Sequence, residues 1–374
     1  MKRILCVIDS LSSGGAQRQM VGLSTLLKES GFEVKVVTYY DLPFYKTILD
    51  ESEVENEVLN CGVGPFSRLF KLGIAIKKFE PDVVISFLNT PNILTCILKV
   101  IQRRWKLIVS ERNTTQELSL SERAKFYLYR FADAIVSNSY SQEDFICTHY
   151  PKLARKSTVI TNFVDTNLFS PSNSRNTSDQ LRIIGVGRIA PQKNIPILIE
   201  AVRSVVESGH KVRVDWYGNK FEACYEECVK MIELYGLKEI FRFHEPFNPI
   251  VEKYRDSDLF VLPSIYEGFP NVLCEAISCG LPVIASDVCD NGRIVHNGKN
   301  GFLFPSGDIE RLRDCIMSLY MMNQEDREVI SAENHEYAIQ NFSAASFVRK
   351  YIQLIEKTAL IADDDYSELE SIQR

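Results

Sequence analysis

The chain alternates between short apolar runs rich in β-branched residues and longer stretches with helical periodicity. This pattern is typical of a parallel sheet with helices on both faces, because parallel strands are joined by crossover helices. In the first half, the runs that predict strands lie at 3–9, 33–39, 82–88, 106–110, 134–137 and 157–160. The stretches that predict helices there lie at 16–29, 67–79, 91–102 and 121–132.

A polar stretch at 170–180, rich in Ser and Asn and without periodicity, predicts a linker. After it, strands are predicted at 182–187, 211–217, 240–243, 258–262 and 282–285. Helices are predicted at 194–207, 222–235, 271–279, 308–321 and 343–358. With 374 residues, 45% of them hydrophobic, the chain can build two globular cores. We therefore expect two α/β domains, 1–168 and 169–342.

Several classes of protein are excluded by composition. The longest apolar runs are strand-sized, so no transmembrane helix is expected, and the N-terminus reads as a strand rather than a signal peptide. The ten cysteines contain no Cys-x-x-Cys, which favours a reduced cytosolic chain. A net charge of −6 without a binding motif argues against nucleic acid. The missing G-x-G-x-x-G fingerprint disfavours a nicotinamide dehydrogenase.

The first 168 residues are mildly basic, and their cations are clustered among apolar residues. The first cluster comprises Arg68, Lys71, Lys77 and Lys78. The second surrounds Trp105 and comprises Lys99, Arg103, Arg104 and Lys106. Two interpretations stay open: solvated helix faces, or a patch that touches an anionic membrane surface or a phosphate-bearing acceptor.

The segment 264–286 predicts a ligand site after a buried strand. Pro270 suits the first position of a helix that Gly280 ends. In parallel sheets ligands bind beyond the carboxyl ends of the strands, where this loop lies. The amides at 271–273 would face a phosphate. Glu267 and Glu275 frame the loop as acceptors for ribose and hexose hydroxyls; alternatively, they are solvated surface residues.

A second loop, Gly185-Val-Gly187-Arg188 followed by Lys193, places two cations just before a predicted helix. Fixed positive charge of this kind suits a diphosphate leaving group. The alternative, two surface cations, is opposed by the helix dipole, which disfavours cations at a helix start.

Three motifs together resemble the retaining glycosyltransferases of family 4: Gly14-Gly15-Ala16, Gly187-Arg188…Lys193, and Glu267 followed after seven residues by Glu275. The resemblance implies the GT-B fold, an α/β architecture of two Rossmann-like doubly wound domains with an interdomain cleft. The N-terminal domain would bind the acceptor and the C-terminal domain a nucleotide sugar. The last helix, within 343–374, would pack back onto the N-terminal domain.

The resemblance also implies roles for individual residues. Arg188 and Lys193 would hold the donor diphosphate and assist catalysis, and Glu267 would contact the transferred sugar. The implied donor-binding residues are Gly15, Arg188, Lys193, His244, Glu267, Phe269, Pro270, Asn271, Val272 and Glu275. One departure is Phe163, which stands where the family's Asn-Gly-Val-Asp turn has glycine.

A second departure is that no histidine ends the strand at 106–110, which runs into Ser110-Glu111-Arg112-Asn113. A subset of relatives acting on lipid-linked oligosaccharides has a similar segment. Its resemblance implies a catalytic role for Glu111. The residues expected around the acceptor are Ser110, Arg112, Asn113 and Asn138. The alternatives are an internal Glu111–Arg112 ion pair and a helix-capping role for Asn138.

Asp256-Ser257-Asp258 resembles the Asp-x-Asp metal motif of another glycosyltransferase fold, but it lies before a buried strand, and we interpret it as structural. No metal and no permanently bound cofactor are expected, and a UDP-sugar would be the co-substrate.

The expected function is transfer of a hexose or N-acetylhexosamine from a UDP-sugar, with retention, to a lipid-linked or polysaccharide acceptor in capsule, O-antigen or lipopolysaccharide biosynthesis. The expected location is cytoplasmic, peripheral on the inner membrane face through Lys71, Lys77, Lys78, Arg103 and Arg104. Two alternatives stay open: a UDP-sugar 2-epimerase of the same fold, or a non-catalytic nucleotide-sugar-binding protein. The sugar, the linkage, the acceptor, the oligomeric state and the choice of UDP over GDP are not determined.

Overall fold

The computed structural model describes residues 2–62, 64–112, 114–115, 118–172, 179–247 and 249–372, with side chains up to 358. The chain divides into two compact units. The N-terminal unit comprises Met1–Asn162 and Ala344–Arg374, and the C-terminal unit comprises Phe163–Ser343. The division precedes the expected one at 168/169, because Val164 and Phe169 are buried in the C-terminal core and the Val164 amide donates to Phe342 O at 2.8 Å. The centre of the predicted linker, 173–178, lies outside the described residues.

The N-terminal unit contains one parallel sheet of seven strands in the order β3-β2-β1-β4-β5-β6-β7. Its strands are β1 Arg3–Ile8, β2 Glu33–Thr38, β3 Glu55–Val58, β4 Val83–Phe87, β5 Lys106–Glu111, β6 Ala134–Ser137 and β7 Ser157–Val159. The order reverses between β1 and β4, which is the arrangement of a doubly wound sheet.

The helices of this unit connect successive strands, except that the last follows the C-terminal unit in the chain. They are α1 Gly15–Glu29, α2 Lys46–Glu51, α3 Pro65–Phe79, α4 Asn89–Ile101, α5 Leu120–Leu128, α6 Tyr140–His149, α7 Pro151–Ala154 and α15 Ala344–Ile372. Helix α15 contacts α1 and buries Phe347, Tyr351 and Ile355.

The C-terminal unit repeats the plan with six parallel strands in the order β10-β9-β8-β11-β12-β13, so its order reverses between β8 and β11. The strands are β8 Leu181–Val186, β9 Val212–Tyr217, β10 Phe241–His244, β11 Leu259–Leu262, β12 Val283–Ser286 and β13 Gly301–Phe304. The helices are α8 Ile195–Glu207, α9 Glu222–Leu234, α10 Val251–Arg255, α11 Asn271–Ser278, α12 Asn291–Ile294, α13 Ile309–Tyr320 and α14 Gln324–Phe342.

The α/β alternation predicted from the sequence is confirmed in both units, and two strands and several helices had not been predicted. The missed strands, β3 and β13, are edge strands. Among the missed helices are α6 and the long α14. Within the described part of the chain, no helix combines the length and apolar content needed to cross a bilayer.

Candidate active site

Glycines at the ends of β8 and β9 allow the two chain segments to pack closely. A Cβ on Gly185 would lie 2.1 Å from Cε3 of Trp216, and one on Gly218 would lie 2.0 Å from the Gly187 carbonyl oxygen. The Trp216 indole N–H donates to the same carbonyl at 2.8 Å. Gly187 has φ +148°, which side chains rarely adopt. The loop that follows β8 therefore begins at the carboxyl end of the sheet, at the switch point between β8 and β11.

The two C-terminal motifs singled out in the sequence are joined by hydrogen bonds. A turn of 3-10 helix, Pro191–Lys193, follows Arg188. The Ile265 amide donates to Gln192 O at 2.8 Å, and Gln192 Nε2 donates to Tyr266 O at 2.9 Å. Lys193 of the first motif and the first glutamate of the second therefore lie side by side.

Lys193 and Glu267 form an ion pair, with Nζ 2.5 Å from Oε1. The same oxygen accepts a hydrogen bond from Ser264 Oγ at 2.6 Å, and Ser286 Oγ donates to Ser264 O at 2.5 Å. Glu267 is 6% exposed, so its interpretation as a loop surface residue is wrong. Arg188 is exposed and has no ion-pair partner among the residues described.

Helix α11 begins at Asn271, as predicted, but Pro270 is the residue that precedes the helix and not its first residue. The amide of Asn271 donates to Phe269 O and that of Leu273 to Pro270 O, both at 3.0 Å. Two of the three amides predicted to be free thus have acceptors within the chain. The helix end therefore offers a phosphate fewer donors than the sequence predicts.

Glu275 lies inside α11 and is 3% exposed, so the alternative that it is a solvated helix residue is wrong. The Tyr254 hydroxyl donates to its Oε2 at 3.2 Å. An ionised carboxylate only accepts hydrogen bonds, which is the chemistry that recognition of a ligand hydroxyl requires.

His244, predicted to lie near the base, belongs to a polar and aromatic cluster at the ends of β9 and β10. Its Nε2 lies 2.6 Å from Asp215 Oδ1, and its ring stacks on Tyr217 with centroids 4.6 Å apart and planes 16° apart. Burial, and then the Asp215 charge, raise the pKa of Tyr217. Sequence reasoning missed Asp215 and Tyr217, because cross-strand pairing alone brings them to His244.

In the N-terminal unit, β5 ends at a buried polar network centred on Glu111. Lys125 Nζ lies 2.7 Å from Glu111 Oε2, and the Tyr129 hydroxyl donates to Oε1. Asn92 Nδ2 donates to the Tyr129 oxygen at 3.0 Å and to Ser110 O at 2.9 Å. Burial, and then the Glu111 charge, raise the pKa of Tyr129 well above its ordinary value.

This network overturns the alternative of a Glu111–Arg112 ion pair, and it bears on the predicted catalytic role of Glu111. Its ion-pair partner is Lys125 and not Arg112. Both of its oxygens are engaged within the unit, so the geometry favours a positioning role over direct contact with the sugar. The partners Lys125, Tyr129 and Asn92 carry no motif that could have identified them.

Arg112 is also buried, with its guanidinium 4.1 Å from the centroid of the Phe87 ring. Nη1 lies 3.4 Å from Ser110 Oγ, while Nε and Nη2 have no hydrogen-bond partner in the described residues. Burial lowers the pKa of Arg112, and the nearby Tyr351 opposes that shift.

Asn138 lies against Arg112, since its Nδ2 donates to Arg112 O at 3.2 Å. It does not cap α6. Ser139 does, by accepting from the Gln142 amide, so the capping alternative for Asn138 is wrong. Asn113, predicted to lie near the acceptor, lies outside the described residues. Gly15 is the first residue of α1.

The acidic motif Asp256-Ser257-Asp258 has the structural role predicted for it. Asp258 accepts from the Arg182 amide at 2.8 Å and pairs with the Arg182 guanidinium at 2.8 Å. Within the described ranges, no cluster of three or more His, Cys, Asp and Glu side chains could hold a metal ion.

Comparison with known proteins gives consistent matches over both units. The family profile "Glycosyltransferase Family 4" matches residues 13–168, and "Glycosyl transferases group 1" matches 169–337. The amylovoran biosynthesis glycosyltransferase AmsD of Erwinia amylovora is 29% identical over 78% of this chain and 82% of its own. An N-acetylgalactosaminyltransferase of Campylobacter jejuni, named for a diphospho-undecaprenol substrate, is 24% identical over 77% and 81%. The structure of Anabaena HepE with UDP-glucose superimposes with a TM-score of 0.80, at 22% identity, over 96% of this chain and all of HepE.

Proposed function

Since the chain belongs to glycosyltransferase family 4, we propose that it transfers a hexose or an N-acetylhexosamine from a UDP-sugar, with retention of configuration, to a lipid-linked or polysaccharide acceptor. The observation that carries the proposal is the cluster at the switch point of the C-terminal sheet. There Lys193, Glu267 and Ser264 are bonded together, and the exposed Arg188 lies five residues before Lys193 in the chain. Ligands of doubly wound sheets bind at this position.

A UDP-sugar is the proposed donor because the cluster offers the two kinds of group that such a donor needs. Arg188 and Lys193 would compensate the negative charge that develops on the departing diphosphate. Glu267 and the buried Glu275 would accept hydrogen bonds from hydroxyls of the sugar and the ribose. HepE, which shares the fold, has been solved with UDP-glucose.

Binding of the donor would exchange partners within the cluster. Lys193 is neutralised by Glu267 at 2.5 Å, so a diphosphate has to compete for the ammonium. Once Lys193 turns to the diphosphate, Glu267 would exchange that partner for a sugar hydroxyl while Ser264 continues to hold it.

In the proposed reaction the bond between the anomeric carbon and the diphosphate oxygen breaks through an oxocarbenium-like transition state. The acceptor hydroxyl attacks from the face that the diphosphate leaves, and a donor phosphate oxygen takes the acceptor proton. Retention then requires no nucleophile from the protein. The proposal assigns the protein two tasks, which are binding and electrostatic stabilisation of the leaving group.

The proposed acceptor is a glycan on a lipid diphosphate or a growing polysaccharide. Two relatives support this choice, one named for amylovoran biosynthesis and the other for a diphospho-undecaprenol substrate. Arg112 supports an anionic acceptor, because its buried guanidinium has two nitrogens without partners among the described residues.

The donor is tested by thermal unfolding in the presence of UDP, GDP, ADP, CMP or NAD. A nucleotide at a hundred times its Kd should stabilise the protein by about 2.7 kcal/mol. UDP should shift the wild type, and Glu275→Ala should lose the shift, while the exposed control Glu252→Ala keeps it. A larger shift with GDP would overturn the choice of donor but not the family.

Turnover is tested with UDP-sugars and a polyprenyl-diphosphate glycan. UDP should be released only when donor and acceptor are both present, and the product should carry the α-linkage of its donor. An epimerised UDP-sugar formed without acceptor would contradict transfer and favour the 2-epimerase. Specific UDP binding without any turnover over the acceptor panel would favour a non-catalytic protein.

A further inference from the structure

Helix α3 exposes an apolar stripe that the core of the N-terminal unit does not explain. Its inner face is already apolar, with Leu72, Ile76 and Phe79 buried. On the outer face Phe66, Phe70 and Ile74 are 84%, 71% and 52% exposed. These three residues are spaced four apart, so they line up along one side of the helix. A helix that is apolar on both sides has a second surface to cover.

The end of α4 extends this surface beside the middle of α3. Gln102 Nε2 donates to Gly73 O at 3.5 Å, and a Cβ on Gly73 would lie 3.3 Å from Cδ2 of Leu98. Glycine thus lets the two helices approach closely. Ile101, 73% exposed, ends α4 next to this contact.

Basic residues flank the apolar stripe, but fewer are available than the sequence suggests. Lys71 is not available, because its ammonium donates to Leu59 O at 3.0 Å and to Asn60 O at 2.9 Å. Lys99 and Lys106 pair with Asp133 at 3.1 and 3.3 Å. The cations that remain exposed without an ion pair in the described chain are Lys77, Lys78, Arg103 and Arg104.

We propose that α3 and the end of α4 form an interfacial docking surface for an anionic phospholipid bilayer, with Phe66, Phe70, Ile74 and Ile101 inserted and Lys77, Lys78, Arg103 and Arg104 on the headgroups. Charge complementarity selects this occupant, because four unpaired cations beside apolar side chains suit an anionic, partly apolar surface. A second copy of the chain would bring the same four cations against one another.

The position of α3 in the fold gives this docking a consequence for the acceptor. The helix begins after the carboxyl end of β3, so Phe66 lies at the same end of the sheet as Glu111 of β5, with β2, β1 and β4 between the two strands. Arg68, 5.2 Å from the centroid of the Tyr40 ring, ties the helix to the loop after β2 at that same edge. The four cations lie at the opposite end of the sheet, because Lys77 and Lys78 precede β4 and Arg103 and Arg104 precede β5. Docking would therefore place the Phe66 end of the stripe, and not the cations, at the end of the sheet where the acceptor is proposed to bind. This part of the inference rests on the proposed function, which places the acceptor on a lipid.

Docking is tested by co-sedimentation of the full chain with vesicles of phosphatidylcholine, with and without phosphatidylglycerol, in the absence of donor and acceptor. Wild type should sediment with the anionic vesicles. Phe66→Ser/Phe70→Ser/Ile74→Ser should remain in solution with both kinds. Each charge reversal at Lys77, Lys78, Arg103 or Arg104 should weaken binding to anionic vesicles at least about fivefold, and added salt should reduce that effect.

Two matched variants control for general effects of the substitutions. Lys152→Glu/Arg155→Glu reverses two exposed cations of the same unit, beside the edge strand β7. Leu120→Ser/Tyr127→Ser removes two exposed apolar side chains of α5. Both should bind vesicles as the wild type does. The thermal shift with UDP is also measured on every variant. A loss of vesicle binding can then be distinguished from a loss of donor binding.

Insertion is tested by fluorescence, since both native tryptophans, Trp105 and Trp216, are buried. Phe70→Trp should shift its emission to the blue when anionic vesicles are added, and Leu120→Trp should not. The inference is overturned if wild type stays in solution with anionic vesicles, or if the stripe variant still sediments. It is also overturned if the stripe mediates a concentration-dependent dimer in light scattering that excludes vesicles.

Discussion

At the scale of the residue, the candidate donor site depends on how one carboxylate is held. Glu267 Oε1 accepts from both Lys193 and Ser264, and the serine carbonyl is in turn bound by Ser286. Two donors on one oxygen fix the orientation of the carboxylate. The family motif records the lysine and the glutamate. Ser264 belongs to no such pair, and its role follows from the distance alone.

Ser264→Ala should therefore impair turnover without unfolding the protein. A hydrogen bond to a charged group contributes about 1.5–3 kcal/mol, so kcat/KM should fall at least about tenfold. The matched control is Ser318→Ala, which removes a hydroxyl that bonds only its own helix at Asp314 O. Equal steady-state kinetics for the two variants would argue against a positioning role for Ser264.

Gly187→Ala should damage the same site through the backbone. Its φ of +148° is strained for alanine by about 1–3 kcal/mol, and the new Cβ would lie 2.9 Å from Cε of Lys193. Gly209→Ala has a comparable backbone problem at φ +87° but no atom within 4 Å. Both should lower Tm, whereas Kd for UDP, measured by calorimetry, should rise for Gly187→Ala alone.

At the scale of the element, the sequence predicts those parts whose chemistry is local. Strands with apolar runs and loops with contiguous motifs were identified, because the signal lies within a few residues. Edge strand β3 was not identified, because its sequence Glu-Asn-Glu-Val is polar. Its carboxylates Glu55 and Glu57 pair with Lys35 of β2, each at 2.7 Å. The network at the end of β5 was not predicted either, because it joins Asn92 to Tyr129, which lies 37 residues further along the chain.

Lys125→Met should show how much the end of β5 depends on that network. The substitution leaves Glu111, 2% exposed, without its cation, and an uncompensated buried charge costs about 3–5 kcal/mol. Chemical denaturation should show this loss, and adding Glu111→Gln should recover part of it. Lys46→Met, which breaks the exposed pair with Asp50, should cost less than about 1 kcal/mol. Similar losses for the two single variants would contradict the assignment.

At the scale of the whole molecule, the chain does not follow its units in order. It leaves the N-terminal unit at Asn162, builds the C-terminal unit, and returns at Ala344 to add α15. The resemblance to family 4 led us to expect this return. The reason for it could not be read from the sequence, because it depends on what α15 covers. Helix α15 contacts α1, and its buried Tyr351 lies close enough to Arg112 for the guanidinium to oppose the rise that burial causes in the pKa of Tyr351.

Tyr351→Ala should weaken the N-terminal unit selectively. Removing a fully buried aromatic ring costs about 3–5 kcal/mol. Hydrogen exchange should accelerate in β1, β4 and β5, while the amides of β8 and β11 and the shift with UDP stay as in wild type. Gln353→Ala, an exposed position of the same helix, should change neither. Uniform acceleration over both sheets would show that the two units do not unfold separately.

The late return of α15 also matters while the protein is being made. At a synthesis rate of about 5–20 residues per second, the ribosome needs about 10–40 seconds to produce Phe163–Ser343 before the helix can emerge. During that interval the nascent N-terminal sheet and α1 lack the cover that Phe347, Tyr351 and Ile355 later provide. An apolar surface exposed for that long is a natural binding site for a ribosome-associated chaperone. We expect misfolding during heterologous expression to begin at this step.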